Sequence, residues 1–306
     1  MWKKGVIMAR EVIREDIAKV KQLMNLVLGT DEYVDLSRMG GLTNHTYKVT
    51  LADSAEYVVR IPGEGTEEMI VRSDEMISTR LACELGIDAD LLYFDKMGAK
   101  VTRYIPNAVT MCAETLHEPE RIEKVARIFK QLHSCGADTK VPFEVFDMAA
   151  SYEKIIEDKQ VSMFADYAEI KAEVMQIKAE IDAAFEIKKV PCHNDPLCEN
   201  WVEGDGRMYL IDWEYAGMND GMWDLADVSI EAGYDRICDR LLLCTYLGKE
   251  PDVMDEKHFL ASKIYVDYLW TLWAKARVPY DGQPMEDWAV ERYNRMKTFI
   301  DEYKTR

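Results

Sequence analysis

The chain has 306 residues, which is long enough for a large hydrophobic core and two lobes. Its 48% hydrophobic and 31% charged residues are typical of a globular protein, and no apolar stretch approaches the roughly 18 residues that a membrane span needs. The formal net charge of −18 argues against nucleic acid or an anionic membrane as a partner and is compatible with a cationic substrate.

The seven cysteines are scattered and include no Cys-x-x-Cys pair, so free thiols in a reducing compartment are the better interpretation. The basic N-terminus has no long apolar segment, and a signal peptide is not expected. We therefore expect a cytoplasmic protein. Cys192, His193 and Cys198 could begin a zinc site, but a second ligand pair at the usual spacing is missing.

The first elements along the chain follow from hydrophobic periodicity. Apolar residues at helical spacing predict a helix over residues 10–28 that ends at Gly29. Two strand-like runs, 47–51 and 57–61, flank a turn at Asp53-Ser54 and predict a hairpin.

A small α+β part is followed by a larger, mainly helical part. After a break near Pro62-Gly63, the pattern predicts one helix and two strands, over 67–85, 91–94 and 99–105. From about residue 110 the chain is mostly helical, apart from segments 190–213 and 217–221. Pro106-Asn107 is the natural hinge, which predicts domains 1–105 and 106–306.

One loop and the strand after it combine three groups that carry chemistry. Asp195 and Asn200 lie five residues apart, and Asp212 follows a short apolar run 17 residues after Asp195. Kinase-like phosphotransferases need a carboxylate that accepts the proton of the attacking hydroxyl, and an amide and a second carboxylate that hold Mg²⁺ on the nucleotide phosphates. We predict Asp195 as the base and Asn200 and Asp212 as metal ligands. His193 and Asp224 are expected to brace this loop.

The N-terminal part offers candidate groups for ATP. Gly40, Gly41, Thr43 and Asn44 form a glycine-containing turn whose backbone N–H groups could approach phosphates, although such a turn is also common in structural loops. Arg60 ends an apolar strand and could contact the phosphates. Glu75, on the next helix, could hold it as an ion pair.

The C-terminal segment is rich in aromatic residues. Trp270 and Trp273 are three residues apart on a predicted helix and share a face. Indole faces attract a quaternary ammonium group, which cannot donate a hydrogen bond. Without other evidence, a place in the hydrophobic core is the better interpretation of these tryptophans.

Several motifs resemble those of the choline/ethanolamine kinase family, and within it those of the bacterial LicA-type choline kinases. The resemblance covers nearly the whole chain after residue 35. It rests on Gly-Gly-Leu-Thr-Asn at 40–44, Val-Val-Arg-Ile-Pro-Gly at 58–63, His-Asn-Asp-Pro-Leu-Cys-Glu-Asn at 193–200, Ile-Asp-Trp-Glu-Tyr-Ala-Gly at 211–217 and Leu-Trp-Thr-Leu-Trp at 269–273.

The resemblance implies an α+β, two-lobed protein-kinase-like fold with a small N-terminal lobe and a larger helical lobe. It implies an enzyme that transfers the γ-phosphate of ATP to choline with Mg²⁺. It places Trp270, Trp273 and Trp288 in an aromatic choline pocket that Tyr234 and Glu231 border. Three alternatives remain open: an ethanolamine kinase, an aminoglycoside-type kinase and a non-catalytic choline-binding module. The sequence predicts no oligomeric state.

Overall fold

The computed structural model describes residues 12–39, 44–63 and 70–306. The chain divides into two compact units. One comprises Met1–Met111 and Glu199–Ala216, and the other comprises Cys112–Cys198 and Gly217–Arg306. A hairpin from the middle of the chain groups with the N-terminal part. The predicted boundary at 105/106 stays a prediction.

The described residues form ten α-helices and ten β-strands, numbered in chain order. The helices are α1 (Arg14–Leu28), α2 (Arg72–Glu84), α3 (Ala113–Leu116), α4 (Pro119–His133), α5 (Val145–Asp158), α6 (Tyr167–Ala184), α7 (Gly221–Ala232), α8 (Arg236–Leu247), α9 (Val253–Asp281) and α10 (Gln283–Lys304). The strands are β1 (Asp35–Arg38), β2 (Asn44–Thr50), β3 (Glu56–Pro62), β4 (Leu91–Phe94), β5 (Lys100–Arg103), β6 (Val109–Thr110), β7 (Val190–Cys192), β8 (Trp201–Gly204), β9 (Arg207–Leu210) and β10 (Gly217–Asn219).

The first unit is built on an antiparallel sheet with the strand order β1-β2-β3-β5-β4. Alternation along β2 places Tyr47 and Val49 in the core, and Tyr47 pairs in register with Val59 of β3. Val20 and Met24 of α1 belong to the same buried cluster. The predicted hairpin is therefore confirmed, and its apolar face forms the core of this unit.

A smaller antiparallel sheet, β6-β8-β9, belongs to the same unit. Trp201 of β8 lies opposite Leu210 of β9, and both are fully buried. The tight turn at Asp205-Gly206 joins these strands, and both of its residues have positive φ angles. The start of β8 and the end of β9 therefore lie side by side at the open end of the hairpin.

The second unit is helical around α9, which packs against α10, α7 and α5. Helix α9 ends at Gly282, whose φ of 71° and ψ of −151° suit a residue without a side chain. Asp220 caps helix α7 by accepting the backbone N–H of Met222 at 3.0 Å, and nearly all residues of the helix are buried. Polar side chains on α7 are therefore desolvated and need partners.

The predicted arrangement of a small sheet-containing part before a larger helical part is confirmed. The predicted helix 67–85 is observed as α2 from Arg72, and residues 64–69 lie outside the described residues. Strand β1 was not predicted, because its sequence, Asp-Leu-Ser-Arg, has only one apolar residue. Among the described helices, none is long and apolar enough to cross a membrane.

Candidate active site

Asn44 is the only one of the four predicted glycine-turn residues that lies within the described residues. Gly40, Gly41 and Thr43 lie outside them. Asn44 begins β2, is 6% exposed and donates a hydrogen bond from Nδ2 to Glu214 Oε1 at 2.7 Å. The end of the turn is thereby tied to the Ile-Asp-Trp-Glu segment that follows β9.

Arg60 and Glu75 form the ion pair that the sequence predicts. Arg60 Nη1 lies 2.5 Å from Glu75 Oε1, and Arg60 Nη2 donates to the Gly98 carbonyl at 2.9 Å. Glu75 also accepts from Arg72 Nη1 at 2.6 Å. Burial alone would raise the pKa of Glu75, but the positive charges of adjacent Arg60 and of Lys100 outweigh this effect and hold the pKa below its usual value. Glu75 is therefore held as a carboxylate.

The β8–β9 hairpin brings Asn200 and Asp212 to the same open end. Asn200 directly precedes β8, and its carbonyl accepts a hydrogen bond from the backbone N–H of Ile211 at 2.9 Å. Asp212 has a φ of 70°, which is uncommon for a residue other than glycine and costs about 1 kcal/mol. The cross-strand pairing thus fixes the spacing of two residues that are 12 apart in sequence.

Three carboxylates gather beside Arg60. Carboxylate oxygens of Glu75, Asp212 and Glu214 lie within 4.8 Å of one another. Arg60 Nη1 lies 3.8 Å from Asp212 Oδ1 and 3.6 Å from Glu214 Oε1. Although the Asp212 side chain is 41% exposed, partial loss of surrounding water and then repulsion from Glu214 raise its pKa to about 7. Crowded oxygen donors of this kind suit a divalent cation.

Glu214 is a site residue that the sequence analysis missed. Two residues after Asp212, it accepts hydrogen bonds from both Asn44 and Arg72, each at 2.7 Å. The signal that could have identified it is the spacing in Asp212-Trp213-Glu214, in which one buried tryptophan separates two carboxylates.

In the second unit, the loop that carries Asp195 is fastened to α7. Asp224 accepts the backbone N–H of His193 at 2.8 Å and that of Asn194 at 2.7 Å, as expected of a bracing residue. His193 is fully buried, and its Nδ1 accepts the backbone N–H of Asp195 at 3.3 Å, which confirms its bracing role. Asn194 has a φ of 66°, and Trp223 donates to its carbonyl at 3.1 Å.

Behind this loop lies a buried cluster of His133, Cys192 and Asp224. His133 donates from Nε2 to Asp224 at 3.0 Å, and its Nδ1 lies 2.9 Å from the Tyr246 hydroxyl. Burial and the charge of Asp224 raise the pKa of the Cys192 thiol well above its usual range. Through these hydrogen bonds of His133, the cluster supports Asp224 and the loop that Asp224 holds.

The three predicted pocket tryptophans are in contact with one another. Trp270 and Trp273 meet edge to face with ring centroids 6.1 Å apart, and Trp273 and Trp288 do so at 5.8 Å. Trp270 is buried, whereas Trp273 and Trp288 are half-buried. The guanidinium of Arg292 lies 4.3 Å over the Trp288 ring. Trp270 and Trp273 of α9 and Trp288 of α10, which the resemblance places in one pocket, are therefore neighbours in the structure.

The predicted border residues Glu231 and Tyr234 have different surroundings. Glu231 forms an ion pair with Arg292. The Tyr234 hydroxyl donates to the Leu116 carbonyl at 3.0 Å, and its ring meets His117 edge to face. These contacts connect Glu231 with the tryptophan cluster through Arg292, but they do not connect Tyr234 with it.

The family profile described as choline/ethanolamine kinase matches residues 37–273. The chain belongs to this family. It is 28% identical over 276 residues to Protein LicA of Haemophilus influenzae, covering 88% of this chain and 80% of that protein. Members of the family are small-molecule phosphotransferases, so the chain's general activity follows from its membership.

Solved structures agree with this membership. The choline kinase LicA from Streptococcus pneumoniae is 30% identical, with a TM-score of 0.80 and coverage of 94% of this chain and 99% of that one. A LicA structure in complex with AMP is 27% identical, with a TM-score of 0.75 and coverage of 98% and 100%. The aminoglycoside phosphotransferase APH(2'')-Ib, 15% identical over 94% of this chain and 97% of its own, shares the fold alone with a TM-score of 0.62. The fold is protein-kinase-like.

Proposed function

We propose that this protein is an ATP-dependent choline kinase, which transfers the γ-phosphate of ATP to the hydroxyl of choline and releases phosphocholine and ADP. The observation that carries the choice of acceptor is the contact cluster of Trp270, Trp273 and Trp288, in which Trp270 Nε1 lies 3.5 Å from Oδ2 of buried Asp227. Indole faces favour a large, weakly hydrated cation, whereas a polycation with many N–H and O–H groups needs exposed acceptors.

The carboxylates of the first unit fit a divalent cation. Asp212 and Asn200 would hold Mg²⁺ as predicted, and Glu214 joins them because its oxygens lie beside those of Asp212. The Asp212 side chain is 41% exposed, so a cation can reach it. When bound, Mg²⁺ would neutralise negative charge on the nucleotide phosphates.

Arg60 and the segment around Asn44 are the proposed contacts to ATP. The ion pair with Glu75 and the bond to the Gly98 carbonyl fix the guanidinium of Arg60 in one orientation. A charge that is held in place before the reaction needs no reorganisation when charge develops on the phosphoryl group. Gly40, Gly41 and Thr43 remain predicted phosphate contacts.

Asp195 is the proposed base. Its backbone is held by His193, and the two residues before it are held by Asp224, so its half-buried carboxylate is carried on a rigid loop. It would orient the choline hydroxyl and accept its proton while the new O–P bond forms and the bond to ADP breaks. Positioning of this kind supplies much of the rate of a phosphoryl transfer.

The seven cysteines are all free, which supports a reducing compartment, and we propose that the protein is cytoplasmic. Its proposed partner is the small-molecule substrate choline, with no role for nucleic acid.

An assay of ADP release tests the function directly. Choline, ethanolamine and kanamycin are offered in parallel, with Asp195→Asn as the matched control for background hydrolysis. We expect choline to exceed ethanolamine by at least about tenfold in kcat/KM, because ethanolamine leaves part of the aromatic cluster unfilled and loses hydration. Equal kcat/KM for both amines would show that carboxylates set the specificity, and turnover of kanamycin alone would refute the proposal.

A further inference from the structure

Helix α2 begins with a buried cation. Arg72 is the first residue of α2 and is 8% exposed. The N-terminus of a helix carries a partial positive charge, which disfavours a cation there by about 0.3–1 kcal/mol and favours acidic residues such as Asp74 and Glu75 of the same turn. Arg72 therefore does not serve the stability of α2, and the burial of its charge needs another reason.

The partners of Arg72 are two carboxylates of the proposed ATP and metal site. Its Nη1 donates to Glu75 Oε2 at 2.6 Å and to Glu214 Oε1 at 2.7 Å. The three side chains are at most 7% exposed, so water screens these ion pairs little. Glu75 lies one turn along α2, whereas Glu214 lies 142 residues away, after β9. One nitrogen thus joins α2 to the segment that carries Asp212.

Arg72 is the closer of two guanidinium groups to Glu214. Repulsion would drive the carboxylates of this site apart, since one oxygen each of Glu75, Asp212 and Glu214 lies within 4.8 Å of the others. Arg60 Nη1 lies 2.5 Å from Glu75 but 3.6 Å from Glu214. The contact of Arg72 with Glu214 is 2.7 Å, so Arg72 is the cation that holds Glu214 in the cluster.

The turn between β4 and β5 leaves room for the side chain of Arg72. Gly98 has a φ of 92°, and a Cβ atom at this residue would lie 2.6 Å from both Cδ and Nε of Arg72, closer than van der Waals contact permits. The Gly98 carbonyl accepts a hydrogen bond from Arg60 Nη2 at 2.9 Å. The absence of a side chain at Gly98 is therefore what allows Arg72 to cross this turn and reach Glu214.

We propose that Arg72 is a positioning residue for the metal ion, which holds Glu214 beside Asp212 before the ion binds. This inference rests on the proposed function and deepens it. Asp212 has a φ of 70°, a strained conformation that persists only where the surrounding structure fixes it. The bond from Arg72 to Glu214 fixes the same segment two residues later. Partners that orient metal ligands typically contribute about 10–100-fold in metal affinity.

A positioning role and simple electrostatics predict opposite effects of Arg72→Ala. A guanidinium repels a divalent cation, so its removal alone would tighten metal binding. If Arg72 positions Glu214, its removal should weaken the binding of Mn²⁺ in the presence of ADP by about tenfold or more. Electron paramagnetic resonance of free Mn²⁺ measures this affinity without turnover. An unchanged or higher affinity overturns the proposal.

Gly98→Ala tests the same role with every charge retained. Its methyl group should displace Arg72 and weaken Mn²⁺ binding by about tenfold. The matched control is Gly29→Ala, which has a similar φ of 72° but no atom within 4 Å of the added Cβ, and it should keep the wild-type affinity. In the double variant Arg72→Ala/Gly98→Ala, the affinity should equal that of Arg72→Ala within about twofold, because the methyl group no longer meets a side chain. Fully additive losses contradict the proposal.

Arg72→Lys separates positioning from folding. Because Nη1 alone makes both bonds, an ammonium group can replace it in part, and the Mn²⁺ affinity should lie between those of the wild type and Arg72→Ala. The kcat should follow the Mn²⁺ affinity, while the KM for choline should change little. If Arg72→Ala does not fold, the comparison of Gly98→Ala with Gly29→Ala decides, and equal Mn²⁺ affinities of these two variants overturn the proposal.

The binding of Mn²⁺ with ADP does not involve the acceptor, so the two proposals can fail separately. A protein whose variants lose Mn²⁺ affinity as expected, but which does not phosphorylate choline, supports the role of Arg72 and refutes the choline kinase function. A protein that phosphorylates choline, with unchanged Mn²⁺ affinity in the Arg72 and Gly98 variants, supports the function and refutes the role of Arg72.

Discussion

Asp224 Oδ1 lies 2.7 Å from the backbone nitrogen of Asn194, and this contact fastens the loop of the proposed base to the most buried helix of its unit. Because Oδ2 of the same carboxylate also accepts from His193, both oxygens are used in orienting the loop. Asp224 is thus a positioning residue that acts on Asp195 through the backbone.

We predict that Asp224→Asn lowers kcat by about tenfold or more and the free energy of unfolding by about 1–3 kcal/mol. The amide group replaces one acceptor by a donor, so one backbone N–H of the loop loses its partner. The KM values for choline and ATP should change little, because neither ligand touches this residue in the proposal. Steady-state kinetics and chemical denaturation measure both effects. A loss of stability with unchanged kcat would limit Asp224 to a role in folding.

Asp195→Asn should lower kcat by about 10²–10⁴ while nucleotide affinity stays close to that of the wild type. The asparagine keeps the size of the side chain but cannot accept the hydroxyl proton. Single-turnover kinetics with choline measures the rate, and fluorescence titration with ADP measures nucleotide affinity. More than about a tenth of wild-type kcat would assign the base to another group.

The sequence predicted the order of elements because each is encoded locally. Alternating apolar residues encode the β2–β3 hairpin, and helical periodicity encodes α1 up to Gly29. The loop bearing Asp195 was predictable as well, since its polar residues are clustered in sequence. The bracing roles of His193 and Asp224 were inferred correctly from this clustering.

What the sequence could not predict depends on contacts between distant residues. The position of Glu214 in the carboxylate cluster is fixed by Asn44 and Arg72, which are 170 and 142 residues away. Arg292 of α10 likewise forms ion pairs with Glu231 of α7 and Asp267 of α9, which are 61 and 25 residues away. Charge compensation is a property of the whole network, and no local pattern in one helix encodes it.

Asp212→Ala should raise the Mg²⁺ concentration needed for half-maximal activity and reduce the activity at saturating metal. Asn200→Ala should do the same more mildly, because a neutral amide binds a hard cation less strongly than a carboxylate does. A Mg²⁺ titration of ADP release at fixed ATP and choline measures both. If Asp212→Ala follows the wild-type titration, the metal assignment is wrong.

Trp288→Leu should raise the KM for choline by roughly tenfold to thirtyfold with little change in the KM for ATP, since a desolvated cation–π contact is worth about 2 kcal/mol. Trp288→Phe keeps an aromatic face and is the matched control, so its KM for choline should rise less. Trp288 is half-buried and suits this test better than buried Trp270, whose removal would also create a cavity. Equal KM values in the two variants would assign Trp288 to the core.

Buried Asp88 should make the free energy of unfolding depend on pH. It is 5% exposed, and burial raises its pKa from 3.8 to about 6, although Lys100 opposes the shift. The folded state therefore holds a proton at Asp88 between about pH 4 and pH 6 that the unfolded chain has released. Its contribution to the free energy of unfolding falls as the pH rises through this window, by about 3 kcal/mol in total, and is constant above it.

Asp88→Asn removes this loss, because the amide stays neutral at every pH. The free energy of unfolding of the variant minus that of the wild type should therefore increase by about 2.5 kcal/mol between pH 4 and pH 8. Urea denaturation at several pH values measures this difference. The matched control is Asp90→Asn, whose carboxylate is 76% exposed and should give a nearly constant difference from the wild type. A difference for Asp88→Asn that is flat or decreases with pH would mean that the buried carboxyl is stabilised in its charged form by Lys100.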